Sequence, residues 1–192
     1  MMFRRVLPLL LTVLVAGCGF LSRPKNTFYS LDTIPGQGAV ATAAGLPVGI
    51  EAIELPPGLD RRGIVIQGAD HKVEVRGTHQ WTSSLEEMVL HTLAFDLANR
   101  LPVGMVILPG QAKPGGAMRS ISVVFEELAP GQDQVFILDA RWTLSEPGRT
   151  AITKHERITL PMTSMESPAI VDAMSQALAT LADRMAEPAA GR

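Results

Sequence analysis

Between Arg119 and Leu160 the chain alternates apolar and polar residues over three consecutive stretches. A period of two sustained that long allows little besides a sheet with one dry face. The middle stretch is the cleanest, with Phe136, Leu138, Ala140, Trp142 and Leu144 at every second position. Ahead of it, Arg119 to Leu128 sets Ile121, Val123 and Phe125 on one side, and behind it Ala151 to Leu160 pairs back. Gly131-Gln132-Asp133-Gln134 and Glu146-Pro147-Gly148-Arg149 carry the turn residues between them. The three strands read as an antiparallel meander with one wet face, and its apolar face requires a cover.

Two helical patterns supply that cover. Ser83 followed by Glu86 has capping-box spacing and opens a helix to about Leu101, where Pro102 stops it. Leu85, Met88, Val89, Leu93, Leu97 and Leu101 form its apolar stripe. Pro168, in the first turn after Ser167, opens a second helix with Ile170, Met174, Leu178, Leu181 and Met185 as its stripe, and Pro188 ends it.

Five further strands read as Thr27 to Leu31, Val48 to Leu55 with a phase slip or bulge, Gly63 to Gln67, Lys72 to Arg76, and Met105 to Leu108. The turn Gly68-Ala69-Asp70 makes a hairpin of the third and fourth. Pro35 to Pro47 and Pro109 to Gly116 read as loops. The order strands, helix, strands, helix predicts an α+β fold. It is a two-layer sandwich with a mainly antiparallel, partly mixed sheet and two main helices on one face.

The N-terminus has a different character. Arg4-Arg5 precedes an apolar run from Val6 to Val15, and Ala16-Gly17 precede Cys18, the chain's one cysteine. This is the layout of a secretory signal peptide, and the run is about half the 20 or so apolar residues a membrane-spanning helix needs. Val15-Ala16-Gly17-Cys18 resembles a bacterial lipobox, which implies cleavage between Gly17 and Cys18 and acylation of the Cys18 thiol and new amino group. Two or more acyl chains anchor stably where one does not. Residues 1–17 therefore read as a lipoprotein signal peptide, 18–26 as a lipidated tether, 27–187 as a single periplasmic domain and 188–192 as a flexible tail. The eight residues from Gly19 to Asn26, fully extended, reach about 26 Å. Any task linking two membranes requires a partner. After Cys18 come Gly19 and Phe20 with no aspartate, which resembles the sorting pattern of outer-membrane lipoproteins.

Removing residues 1–17 takes away two arginines and no acid, moving the formal charge from −2 to about −4. With no run of lysine or arginine, this argues against nucleic acid as a partner. With Cys18 acylated no thiol remains, which excludes disulfides, thiolate metal sites and cysteine nucleophiles.

A search for chemistry yields no catalytic set. His71, His79, His91 and His155 fall in no metal-ligand spacing, and Glu87 with His91 at i, i+4 reads as a solvated helix face. His155-Glu156-Arg157 lies on a strand whose alternate residues point apart, a charged outer face. There is no Gly-x-Ser-x-Gly elbow and no phosphate-cradling glycine loop. The expectation is no enzyme, no cofactor and no metal. The competing readings are an assembly factor for another outer-membrane machine and an anchored periplasmic hydrolase working around His71 or His79.

Three stretches carry a family resemblance. They are Phe28-Tyr29-Ser30-Leu31-Asp32, then Leu55-Pro56-Pro57-Gly58-Leu59-Asp60-Arg61 leading into Gly63-Ile64-Val65-Ile66, and Gln80-Trp81 followed by Ser84-Leu85-Glu86-Glu87-Met88 and a helix ending Arg100-Leu101-Pro102. In order and spacing the chain resembles the ABC-type transport auxiliary lipoproteins of the PqiC-like (YmbA) type. It departs where Gly58 replaces a frequent aromatic and Arg62 a proline. The resemblance implies a non-catalytic accessory lipoprotein on the inner leaflet of the outer membrane. Its implied partners are an MCE-domain periplasmic protein and an inner-membrane ABC permease, with lipid transport and envelope integrity as the shared task and a homo-oligomer, of the ring type, as the assembly. Asp60, Arg61 and Trp81 match the family motif and form the candidate structural or partner-docking patch.

Overall fold

The computed structural model describes residues 25–36, 45–67 and 72–191. In chain order the elements are β1 (Thr27–Tyr29), β2 (Val48–Glu54), β3 (Gly63–Gln67), β4 (Val73–Trp81), α1 (Leu85–Ala98), β5 (Val106–Ile107), β6 (Arg119–Pro130), β7 (Val135–Ser145), β8 (Ile152–Pro161) and α2 (Ser167–Ala189). The meander forms as its alternation predicts, with β6, β7 and β8 antiparallel in long ladders. Its inner positions, including Ile121, Phe125, Phe136, Leu138, Trp142 and Ile158, are buried. β2 adds to β6 and β5 to β2, both in parallel, giving the five-stranded order β5-β2-β6-β7-β8. The phase slip in β2 is real: the register against β6 shifts between Ile50 and Ala52.

The other three strands form a separate sheet, β1-β4-β3, with β1 parallel and β3 antiparallel to β4. Alternation states which residues face the core but not which strands share a ladder, so this division is invisible in the sequence. The β3–β4 register shifts at Gly63, where an added Cβ would lie 2.8 Å from the Arg76 carbonyl oxygen and 2.9 Å from Val75 Cγ1. Gly63→Ala is expected to lower the unfolding free energy by about 1–3 kcal/mol through this overpacking, measured by urea denaturation.

Both helices cover the inner face of the five-stranded sheet. α1 lies on β2 and β5, α2 on β6, β7 and β8, and the two helices pack on each other. α1 buries more than its apolar stripe, because Thr92 and Asp96 are enclosed as well. Its first turn is set one residue later than the capping-box spacing predicts: Ser84, not Ser83, is the N-cap, and its Oγ accepts the Glu87 N–H at 3.1 Å. It ends at Ala98 rather than Leu101: Asn99 keeps helical dihedrals as the C-cap, and Pro102 has no N–H to offer the Ala98 carbonyl. α2 starts with Pro168 in its first turn, but Pro188 does not end it. A proline lacks one N–H yet leaves its carbonyl free, and the closing turn uses that carbonyl to accept the Gly191 N–H at 3.1 Å.

Residues 30–36 cross the helix layer as a strap. The Asp32 N–H donates to Ser175 Oγ on α2 at 3.1 Å and the Ile34 N–H to Asp96 Oδ1 on α1 at 2.7 Å. Arg100 donates to the Ile34 carbonyl at 3.1 Å and pairs with Asp183 on α2 at 2.5 Å.

Candidate functional site

The second sheet meets the start of α1 at a turn that the sequence dictates. In Pro56-Pro57-Gly58-Leu59 the Leu59 N–H donates to the Pro56 carbonyl at 3.1 Å, with Gly58 at φ 81°. A proline-led turn with a left-handed third residue favours glycine there. This turn delivers Asp60, Arg61 and Arg62 to the mouth of α1. Asp60 Oδ1 accepts the Leu85 N–H at 3.0 Å, so its carboxylate and Ser84 Oγ satisfy two of the free donors at the helix start. The Arg62 carbonyl accepts the Trp81 N–H at 2.9 Å, and Arg61 Nε donates to the Gly58 carbonyl at 3.1 Å.

These contacts leave a half-open cleft of about 400 Å³, lined by Phe28, Asp60, Arg61, Arg62, Trp81 and Thr82 through Ser84. All three residues of the sequence-stated patch, Asp60, Arg61 and Trp81, border it. Their environments differ. Trp81 is 3% exposed in the core, and its Nε1 has no acceptor among the described residues. Asp60 is engaged by α1. Arg61 and Arg62 are exposed and, among the described residues, neither forms an ion pair. Phe28, at 55% exposure, and Arg62 were not in the patch read from sequence. The signal that marks them is the cationic pair in a Pro/Gly-terminated loop and the aromatic that opens β1.

Replacing Asp60 by Ala removes a helix cap. It is expected to lower stability by about 1 kcal/mol, and Ser84→Ala by a similar amount, both measured by the urea midpoint.

The remaining sequence candidates are dispersed. Gly17, Cys18 and His71 lie outside the described residues. His79 is committed to Tyr29, with Nδ1 3.1 Å from the tyrosine hydroxyl and the rings stacked at 5.6 Å. Glu87 is exposed and His91 half-buried on α1.

A family model described as the ABC-type transport auxiliary lipoprotein component matches residues 29–186. The chain belongs to that family. The match begins inside β1 and ends inside α2, so it takes in most of the folded unit and every residue lining the cleft but Phe28. The auxiliary lipoprotein shares its fold with a solved structure of an uncharacterized protein, at TM-score 0.70 and 18% identity, covering 85% of this chain and 98% of the other. It is also similar to protein XCC0632 from Xanthomonas campestris, of the DUF330 family, at TM-score 0.64 and 11% identity, covering 83% and 92%. No curated protein matches. Among the described residues of this auxiliary component, no helix is long and apolar enough to cross a membrane.

A second polar cluster lies on the wet face of the meander. Asp139 on β7 receives hydrogen bonds from His155 and Arg157 on β8, while Arg157 reaches Glu127 at 3.3 Å and Arg141 pairs with Glu126 at 3.0 Å. Glu156, between the two, points the other way and pairs with Arg184 on α2. The alternation expected of His155-Glu156-Arg157 is therefore present. Its organising carboxylate, Asp139, is a residue that spacing along one strand does not reveal. Burial pushes the Asp139 carboxyl up, but the hydrogen bonds and charges of His155 and Arg157 outweigh it and hold it below the usual range. Glu126, Asp139 and His155 bring ligand atoms within 4.8 Å of one another, with guanidinium groups already paired to both carboxylates.

Proposed function

We propose that this auxiliary lipoprotein is a non-catalytic, lipid-anchored subunit of an MCE-type ABC lipid-transport system, held at the inner leaflet of the outer membrane and supporting envelope integrity. The observation that carries the reading is the family match over residues 29–186, which starts a short tether away from Cys18. A folded unit within about 26 Å of its anchor cannot bridge two membranes alone, so the reading assigns it the reception of a partner that spans the gap. The cleft beside β1 is the proposed reception site, with Arg61, Arg62 and Phe28 as its exposed surface and Asp60 and Trp81 as its frame. An MCE-domain protein is the proposed partner, the inner-membrane permease and ATPase its further associates, and a homo-oligomer the assembled form.

The test is co-purification. The lipidated protein, crosslinked in envelopes and recovered through an affinity tag, is expected to bring down an MCE-domain protein. Recovery of a β-barrel assembly component in its place contradicts the reading.

A further inference from the structure

Resting on the docking reading above, we infer that the cleft receives an acidic side chain set beside an apolar one on a protruding segment of the partner protein. Three features of the cleft fix that chemistry. Among the described residues Arg61 and Arg62 form no ion pair, Arg61 giving only its Nε–H to the Gly58 carbonyl; against them stands the single carboxylate of Asp60, whose Oδ1 is already bound to the Leu85 N–H. The lining therefore carries one net positive charge and complements a monoanion; guanidinium forks bind carboxylates through paired, charge-assisted hydrogen bonds. Trp81 supplies the second feature. Its side chain lines the cleft, and its buried indole N–H has no acceptor among the described residues, an unfavourable state for a donor. Phe28 is the third, an aromatic wall more than half exposed on the same opening.

A phospholipid headgroup would also satisfy an arginine pair, and the tether keeps the domain near a bilayer. The exposed apolar wall of Phe28 on the same opening favours a protruding pair of side chains, one acidic and one apolar, whereas a bilayer presents its phosphates in a plane. The mouth of α1 adds little to either ligand, because Asp60 and Ser84 already occupy two of its donors, the Leu85 and Glu87 N–H groups.

The chain's two tryptophans make this measurable without altering the site. In the ¹⁵N-labelled mature protein in detergent, the indole N–H resonance of Trp81 reports on the cleft and that of Trp142, in the core, serves as the internal control. N-acetylphenylalanine is expected to move the Trp81 resonance in a saturable way and leave Trp142 in place. N-acetylphenylalanine amide, which lacks the charge, should do neither. Arg61→Gln with Arg62→Gln should weaken the carboxylate at least tenfold while the far-ultraviolet spectrum and melting temperature stay unchanged. Three results overturn the inference: no movement of Trp81 with the carboxylate, equal movement with the amide, or tighter binding of dihexanoyl-phosphatidylglycerol or inorganic phosphate. If the inference fails while wild-type protein still co-purifies with an MCE-domain protein, docking stands and only this chemistry is wrong.

Discussion

Asp96→Asn is expected to make the protein more stable at pH 7 by about 2 kcal/mol, and to leave its stability near pH 4 unchanged. Asp96 is fully buried on α1; Oδ1 accepts the Ile34 N–H, while Oδ2 has no donor among the described residues. Burial is the dominant influence and raises the carboxyl to about 6, against the lowering effects of the Ile34 hydrogen bond and the nearby Arg100 charge. The folded chain therefore holds a proton over a pH range in which the unfolded chain has lost it. Stability attributable to this group is present below about pH 4, declines as pH rises toward 6, and stays lost above. Asparagine keeps an acceptor for Ile34 and carries no charge to desolvate. The difference between variant and wild type, read from urea denaturation across pH 4 to 7, should grow from near zero to its full value. A variant less stable than wild type at pH 7 would mean that the attraction to Arg100 outweighs desolvation.

The second large effect concerns the anchor. Cys18→Ser is expected to abolish acylation and lipoprotein processing, so the chain keeps its precursor length and disappears from the outer-membrane fraction. Each buried methylene contributes about 0.8 kcal/mol, and stable anchoring needs more than one chain. Membrane fractionation with intact-mass measurement reads this directly. A Cys18→Ser chain that still sediments with outer membranes at full yield would mean that the folded domain binds there by itself.

The parts legible from sequence are those set by local periodicity. The alternation from Phe136 to Leu144 gave a strand in the right place and with the right face inward, and the broken phase near Ile50 gave the β2 bulge. What escaped was chosen by tertiary contacts. Ser83 and Ser84 each have a glutamate three residues on, so spacing alone cannot choose between them; Asp60, bonded to the Leu85 N–H, places the helix start one residue later. The strap was hidden because Asp96 and Arg100 sit four apart on an otherwise ordinary helix, and their partners, Ile34 and Asp183, are distant in sequence. Asp139 is hidden in the same way, since its partners lie across a strand pair. Asp60, Arg61 and Trp81, read from sequence as a candidate patch, border one cleft in the fold. The neighbouring Arg62 and Phe28 needed the fold to bring β1 alongside β4.

On the proposed function, a lipid-anchored domain presents the Arg61–Arg62 cleft to a partner that spans the envelope. A photo-crosslinking residue at position 61, or at position 153 on the exposed meander face, in the anchored protein inside cells, probes that contact. The account predicts an adduct with an MCE-domain protein from position 61 and none from position 153. Adducts from position 153 alone, or none from position 61 while the protein remains anchored and folded, would contradict it.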